Sequence, residues 1–304
     1  MGLPARLAVR AGLGVAAMGG ATLAYGVGYE RNAFTVRAVT VPVLPAGTRS
    51  LRLLHVSDLH LTPTRTALVA WVRGLARLEP DVVVATGDFL AAQDAGPTVV
   101  EALSPLQGYP GMFVPGNADY FAPVPKSPTR YFTGRRKRGA PLAWADTAAA
   151  LAAGGWIDLT HVRTSVTIAG QQLEVRGVDD PYLGRDAYHL VAGPADPAAA
   201  LRRGVAHAPE PRVLDAMTRD GVDLLLAGHT HGGQVRLPVL GALTTNCGID
   251  RPRARGLHPY RVDEGAPEAR TATLHVSAGL GTSPYAPIRL NCRPEATLLT
   301  LAPR

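Results

Sequence analysis

Asp223-Leu-Leu-Leu-Ala-Gly-His-Thr-His-Gly-Gly-Gln234 reads as a buried strand running into a turn that carries two histidines, His229 and His231. The apolar run 224–227 suits a strand covered on both faces, and the flanking glycines let the backbone turn tightly where the imidazoles emerge. Two His at i and i+2 past a strand end can reach one small volume. Taken alone the pair reads equally as two surface loop histidines, so its meaning depends on further donors in the same kind of place.

Three such places precede it. Residues 51–56 have the composition of a strand and end in Asp58 and His60, again an i, i+2 pair. The bland alternative is that Asp58 caps the next helix, expected over about 65–78 from its apolar spacing. Asp81-Val-Val-Val-Ala-Thr-Gly-Asp88 repeats the plan of buried strand, glycine and carboxylate. After a second helix over about 98–106, Met112-Phe-Val-Pro-Gly-Asn-Ala-Asp119 repeats it with Asn117, whose ordinary role would be that of a turn residue. The steps from 58 to 88 to 117 match strand, helix, strand units, so parallel pairing places all three side chains at one sheet edge. His207, between a short apolar stretch and a Pro-containing turn, is the remaining candidate, while His55, His161, His189, His258 and His275 read as structural.

Around this series the chain of 304 residues, 46% apolar and 18% charged, has the composition of a globular protein with no internal repeat or linker. All but two of the 31 basic residues are Arg, so the net charge of +7 says little about partners. Residues 11–29 carry no charge and follow Arg6 and Arg10, the pattern of an uncleaved membrane anchor; a cleaved signal peptide and a soluble helix are the alternatives. We divide the chain into this N-terminal segment, 1–33, and a second part, 34–304. The segment 126–138, with six positive charges, reads as a solvated loop, the alternative being a contact to anionic lipid or a phosphate-rich substrate. Residues 142–153 are expected as a helix and 166–178 as a hairpin, so the sheets should be mixed. Asp179, Asp180 and Asp186 in the following loop are read as facing solvent, the alternative being that they are ligands. Cys247 and Cys292 permit one disulfide or two free thiols.

Seven oxygen and nitrogen donors without cysteine, namely Asp58, His60, Asp88, Asn117, His207, His229 and His231, exceed one tetrahedral site and suit two adjacent Mn, Fe or Zn ions. Two such cations suit hydrolysis of a phosphoryl group. The order DxH, GD, GNxD, H and GHxH resembles that of the calcineurin-like metallophosphoesterases over residues 51–301, and the tail from Ser277 to Glu295 resembles their membrane-anchored bacterial branch. That resemblance implies an α/β, four-layer αββα sandwich of two mixed β-sheets flanked by helices, here preceded by an N-terminal hydrophobic helix. It also implies that Asp58, His60 and His231 hold one metal, that Asn117, His207 and His229 hold the other, and that Asp88 bridges.

Asp58, Asp88 and Asn117 are accordingly the expected catalytic residues, with Asn117 and Arg289 against the substrate. The expected activity is hydrolysis of a phosphodiester, pyrophosphate or phosphomonoester, possibly lipid-linked, at the cell membrane with the catalytic part extracytoplasmic; no nucleic-acid partner is expected. One departure stands out: Ala118 occupies the place of the family's His after the Asn, the group proposed to protonate the leaving group. A metal-binding scaffold that is catalytically weak is therefore the alternative.

Overall fold

A computed structural model describes residues 3–125 and 138–304. Almost all of the basic segment 126–138 thus lies outside the described residues. Helix α1 spans Leu3–Ala24, and after short turns β1 (Thr35–Leu44) enters the first sheet. Strands β2 (Leu51–Val56), β3 (Val82–Thr86), β4 (Gly111–Val114) and β5 (Ile157–Asp158) follow, with helices α2 (Thr66–Arg73), α3 (Gly96–Leu103), α4 (Asn117–Tyr120) and α5 (Trp144–Ala153) between them. The second sheet takes β6 (Arg163–Ile168), β7 (Gln171–Gly177), β8 (Leu201–Val205), β9 (Leu224–Ala227), β12 (Gly256–Val262) and β13 (Arg270–Val276). Helix α6 is Pro211–Arg219, β10 (Arg236–Leu237) pairs with β11 (Gly241–Ala242), and β14 (Glu295–Pro303) returns to the first sheet.

Both sheets are mixed. The first has the order β1-β14-β2-β3-β4-β5, with β14 antiparallel to β2 and parallel pairing elsewhere. The second is β12-β13-β9-β8-β7-β6, with antiparallel outer pairs and a parallel centre. Strand alternation builds three apolar layers. Val82 and Val84 of β3 meet Leu224 and Leu226 of β9 between the sheets, whereas Val83 and Ala85 face α2, α3 and α5. On the far side Leu225 packs on Val213, Leu214 and Met217 of α6. The expected arrangement of two mixed sheets flanked by helices is therefore present.

The expected membrane span is not. Among the described residues no helix is long and apolar enough to cross a membrane. Helix α1 forms at the expected place, but Gly12, Gly14, Gly19 and Gly20 supply no apolar side chain, and Arg6 and Arg10 lie within it. The chain just beyond it is tied down instead: the Glu30 carboxylate accepts the backbone N–H of Asn291 at 3.0 Å and of Cys292 at 2.6 Å. No disulfide forms either, for Cys247 and Cys292 are both free thiols.

Candidate metal centre

Each candidate donor lies just past the carboxyl end of a central strand. Asp58 and His60 come after β2, Asp88 after β3, Asn117 begins α4 after β4, His207 comes after β8, and His229 and His231 after β9. Five of the seven, Asp58, His60, Asp88, His229 and His231, have φ between 41° and 67°. That left-handed conformation costs a residue other than glycine roughly 1 kcal/mol or more. Its concentration here is backbone strain held by the surrounding packing so that side chains from two sheets face one point.

The donors form two overlapping groups. Asp58, His60, Asp88 and His231 each offer an atom within 4.8 Å of the others, as do Asp88, His207 and His229, and all six residues are buried. Asp88 belongs to both: Oδ2 lies 3.3 Å from His60 Nε2 and Oδ1 lies 3.3 Å from His207 Nε2. Across the centre His60 Nε2 lies 3.1 Å from His231 Nε2, and His207 Nε2 lies 3.1 Å from His229 Nδ1. Asn117 Oδ1 is buried without a hydrogen-bond partner, a costly state for an amide oxygen that a cation would relieve. The donor set therefore fits metal ions.

The electrostatics agree. Burial alone would raise Asp88, but His207, His60 and His229 hold its carboxyl well below the usual range. Burial, countered by His207 and reinforced by Asp88, pushes Asp58 up to about 6. Burial together with His60 and Arg289 holds His231 well below 6.5, so its ring stays neutral, as a metal ligand must be. Burial would lower His207, yet Asp88 holds it well above the ordinary value, a proton that a cation would displace. His207 Nδ1 lies 2.7 Å from the carbonyl of Thr86, a contact that orients the ring and leaves Nε2 for the centre.

Several supporting residues had no sequence signal as such. Asp58 is fixed by the N–H of His229, 3.1 Å from each oxygen, and by Ser57 Oγ at 2.5 Å. An ionised Asp58 only accepts, which sets the direction of a buried line: Thr86 Oγ1 donates to Ser57 Oγ at 2.7 Å and His55 Nε2 donates to Thr86 Oγ1 at 2.9 Å. His55 Nδ1 is left to accept from His275 Nδ1 at 2.9 Å. These two histidines, read as structural, thus join the sheets behind Asp58. Gly116 is required by close approach, since a Cβ there would sit 2.3 Å from Asp88 Oδ1.

Two expectations are corrected. Arg289 is fully buried, and its terminal nitrogens donate to the carbonyls of His231, Ala278, Gly279 and Gly281. It positions the His231 turn and is not exposed to a substrate. Asp179 and Asp180 do not face solvent: Asp179 accepts from Tyr120 Oη at 2.8 Å and Arg185 Nε at 2.9 Å, and Asp180 caps the turn Pro181–Leu183. That turn lays the Tyr182 ring 4.5 Å from the His229 ring, centroid to centroid, an aromatic wall that no local motif announced. Asp186 instead pairs with Arg212.

Residues 51–233 match the family described as calcineurin-like phosphoesterase. The chain is similar to "Uncharacterized metallophosphoesterase YkuE" of Bacillus subtilis (strain 168), 26% identical over 303 residues that cover 95% of this chain and 94% of that protein. It is 31% identical over 288 residues to "Transmembrane protein with metallophosphoesterase domain" of Bos taurus, covering 88% of this chain and 56% of the bovine one. It is also 30% identical over 143 residues to "Phosphodiesterase YaeI" of Escherichia coli (strain K12), covering 47% and 46% of the two chains.

Proposed function

Because the chain belongs to the calcineurin-like phosphoesterase family, we propose that it is a hydrolase of phosphodiester or pyrophosphate bonds working with two divalent cations of the Mn, Fe or Zn kind. The observation that carries this reading is the shared position of Asp88, whose two oxygens face the two halves of one donor set. Asp58, His60 and His231 would hold one cation, and Asn117, His207 and His229 the other, with Asp88 between them. When bound, such a pair neutralises phosphoryl charge and acidifies water.

The chain's own residues do the rest. Ser57, Thr86 and the N–H of His229 keep Asp58 turned inward, while Arg289 and Gly116 hold the turns at His231 and Asp88. No imidazole stands at position 118, so protonation of a leaving group is not supplied there. This favours substrates whose leaving group departs as a stable anion. The name of the Escherichia coli relative supports diesters over monoesters. The name of the bovine relative, and the exposed apolar side chains Leu13, Val15, Met18 and Leu23 of α1, support work at a membrane surface.

Incubating manganese-loaded protein with an aryl phosphodiester, an aryl phosphomonoester and an alkyl pyrophosphate tests the reading. Hydrolysis of the diester or the pyrophosphate that chelation abolishes is the expected result. Full metal occupancy with no turnover of any of the three would favour the second reading, a metal-binding scaffold, for which the missing His at Ala118 is the motivating observation.

A further inference from the structure

The apolar side chains left exposed are concentrated along one edge. Directly after the His231–Gly233 turn, β10 and β11 form a hairpin whose tip is Pro238-Val239-Leu240. Val239 is 106% exposed and Leu240 66%. Val239 also has φ 66°, a conformation that β-branched residues avoid, so the tip holds an apolar side chain outward at a cost in backbone energy.

The base of the hairpin is fixed on the segment 286–290: Arg236 N donates to Leu290 O at 2.9 Å and Gln234 Nε2 to Ala286 O at 2.5 Å. The other side of that segment receives the N-terminal region, through Arg289 N to Gly26 O at 3.2 Å and a groove between Ile288 and α1. Tyr285, half exposed, stands beside it. The hairpin tip and the apolar surface of α1 therefore hang on one short stretch of chain.

Several arginines border this edge. Arg31, Arg65, Arg236, Arg255 and Arg293 have no carboxylate within ion-pair distance among the described residues. Arg31 is close enough to Arg65, and Arg255 to Arg236, for each pair to repel. The nearby acids are buried and taken up, Glu30 by two backbone N–H groups and Glu295 by Arg37. Apolar side chains held outward within a fringe of guanidinium groups that have no carboxylate partner match the layered chemistry of an anionic bilayer surface, hydrocarbon below and phosphate above. Guanidinium groups on long apolar stems also suit the headgroup level.

We propose that this edge docks on an anionic lipid bilayer, with Val239 and Leu240 inserted among the headgroups and the arginines paired with lipid phosphates. Since the hairpin grows from the turn that carries His231, docking would set the metal centre beside the headgroup layer. A substrate phosphoester at that level rests on the phosphoesterase reading above, whereas the docking itself does not.

The test is sedimentation of the full chain with vesicles of phosphatidylcholine alone or mixed with phosphatidylglycerol. Hydrolysis of a soluble aryl phosphodiester without vesicles is measured in parallel. Wild type should bind the mixed vesicles and release with salt; Val239→Asp with Leu240→Asp should lose about tenfold or more in binding while keeping its soluble activity. Arg293→Glu, which leaves the tip intact, should reduce binding to the mixed vesicles alone. Equal binding of wild type to neutral and anionic vesicles, or unchanged binding of the tip variant, would overturn the proposal. So would a concentration-dependent dimer lost in the tip variant while vesicle binding persists, which would assign the edge to a second copy. Vesicle binding without hydrolysis in any form would contradict only the phosphoesterase reading.

Discussion

Asp119 Oδ2 accepts the backbone N–H of Asp88 at 2.9 Å, although both carboxylates are buried. The same oxygen takes the N–H of Gly116 at 2.8 Å, while Oδ1 takes those of Phe89 and Leu90 at 2.7 and 3.0 Å. Four donors converge on this one side chain, so a proton on either oxygen would displace an N–H. Burial, reinforced by Asp88, pushes Asp119 up to about 8, yet both its oxygens are taken by backbone N–H groups, so it serves as a buckle between the turns after β3 and β4 and turns no oxygen toward a leaving group.

Asp119→Asn sets an NH₂ group against two of those donors. Losing two hydrogen bonds while burying unpaired donors should cost about 3 kcal/mol or more. Urea unfolding of metal-free protein measures it, and an unchanged midpoint would remove Asp119 from this role.

The His55–His275 pair predicts a pH dependence of stability. Burial, followed by Arg37 and His258, lowers His275 to about 3, and burial with His275 holds His55 well below 6.5. Both stay neutral in the folded chain, whereas the unfolded chain protonates them. Their contribution is complete above the unfolded value and is lost as pH falls toward the folded one. Below about pH 6.5 stability should fall by roughly 1.4 kcal/mol per pH unit for each histidine. His275→Gln should make that slope shallower between about pH 6 and 5. An unaltered slope would show that the pair does not titrate in this way.

Much of the centre was legible in the sequence, because parallel strands deliver the residues at their carboxyl ends to one edge of the sheet. The recurrence of a donor just past a strand end at Asp58, Asp88 and Asn117, with a glycine before the last two, needed only local pattern and spacing. Arg289, Asp179 and Tyr182 were not legible, since each takes its role from a contact with a residue distant in the chain. The left-handed backbone at Asp58, His60, Asp88, His229 and His231 was equally hidden: no side-chain pattern announces strain that packing imposes. The N-terminal segment misled for the opposite reason. Its lack of charge was visible, but glycine dilutes a helix's apolar surface without interrupting the pattern.

Ala118 N–H donates to Asp88 Oδ1 at 2.7 Å, so a side chain at 118 starts beside the centre. Ala118→His should raise turnover of alkyl phosphodiesters by ~10² or more and alter aryl ones little, because only poor leaving groups need a proton. Equal gains on both classes would mean that the missing histidine is not a missing acid.

The two cysteines should behave as independent thiols. Burial pushes Cys247 up to about 12, and Cys292 lies under the His231 turn with Sγ 3.3 Å from the His231 carbonyl. Both should alkylate fully in unfolded protein without reductant, and slowly in the folded chain. A mass corresponding to one bridge in freshly isolated protein would contradict this arrangement.

Anomalous diffraction from manganese-loaded crystals would locate the cations around Asp88. Two peaks about 3.5 to 4 Å apart are expected, one among Asp58, His60 and His231, the other among Asn117, His207 and His229, with Asp88 touching both. A single peak, or a second one that Asp88 does not reach, would contradict the proposed pair of sites.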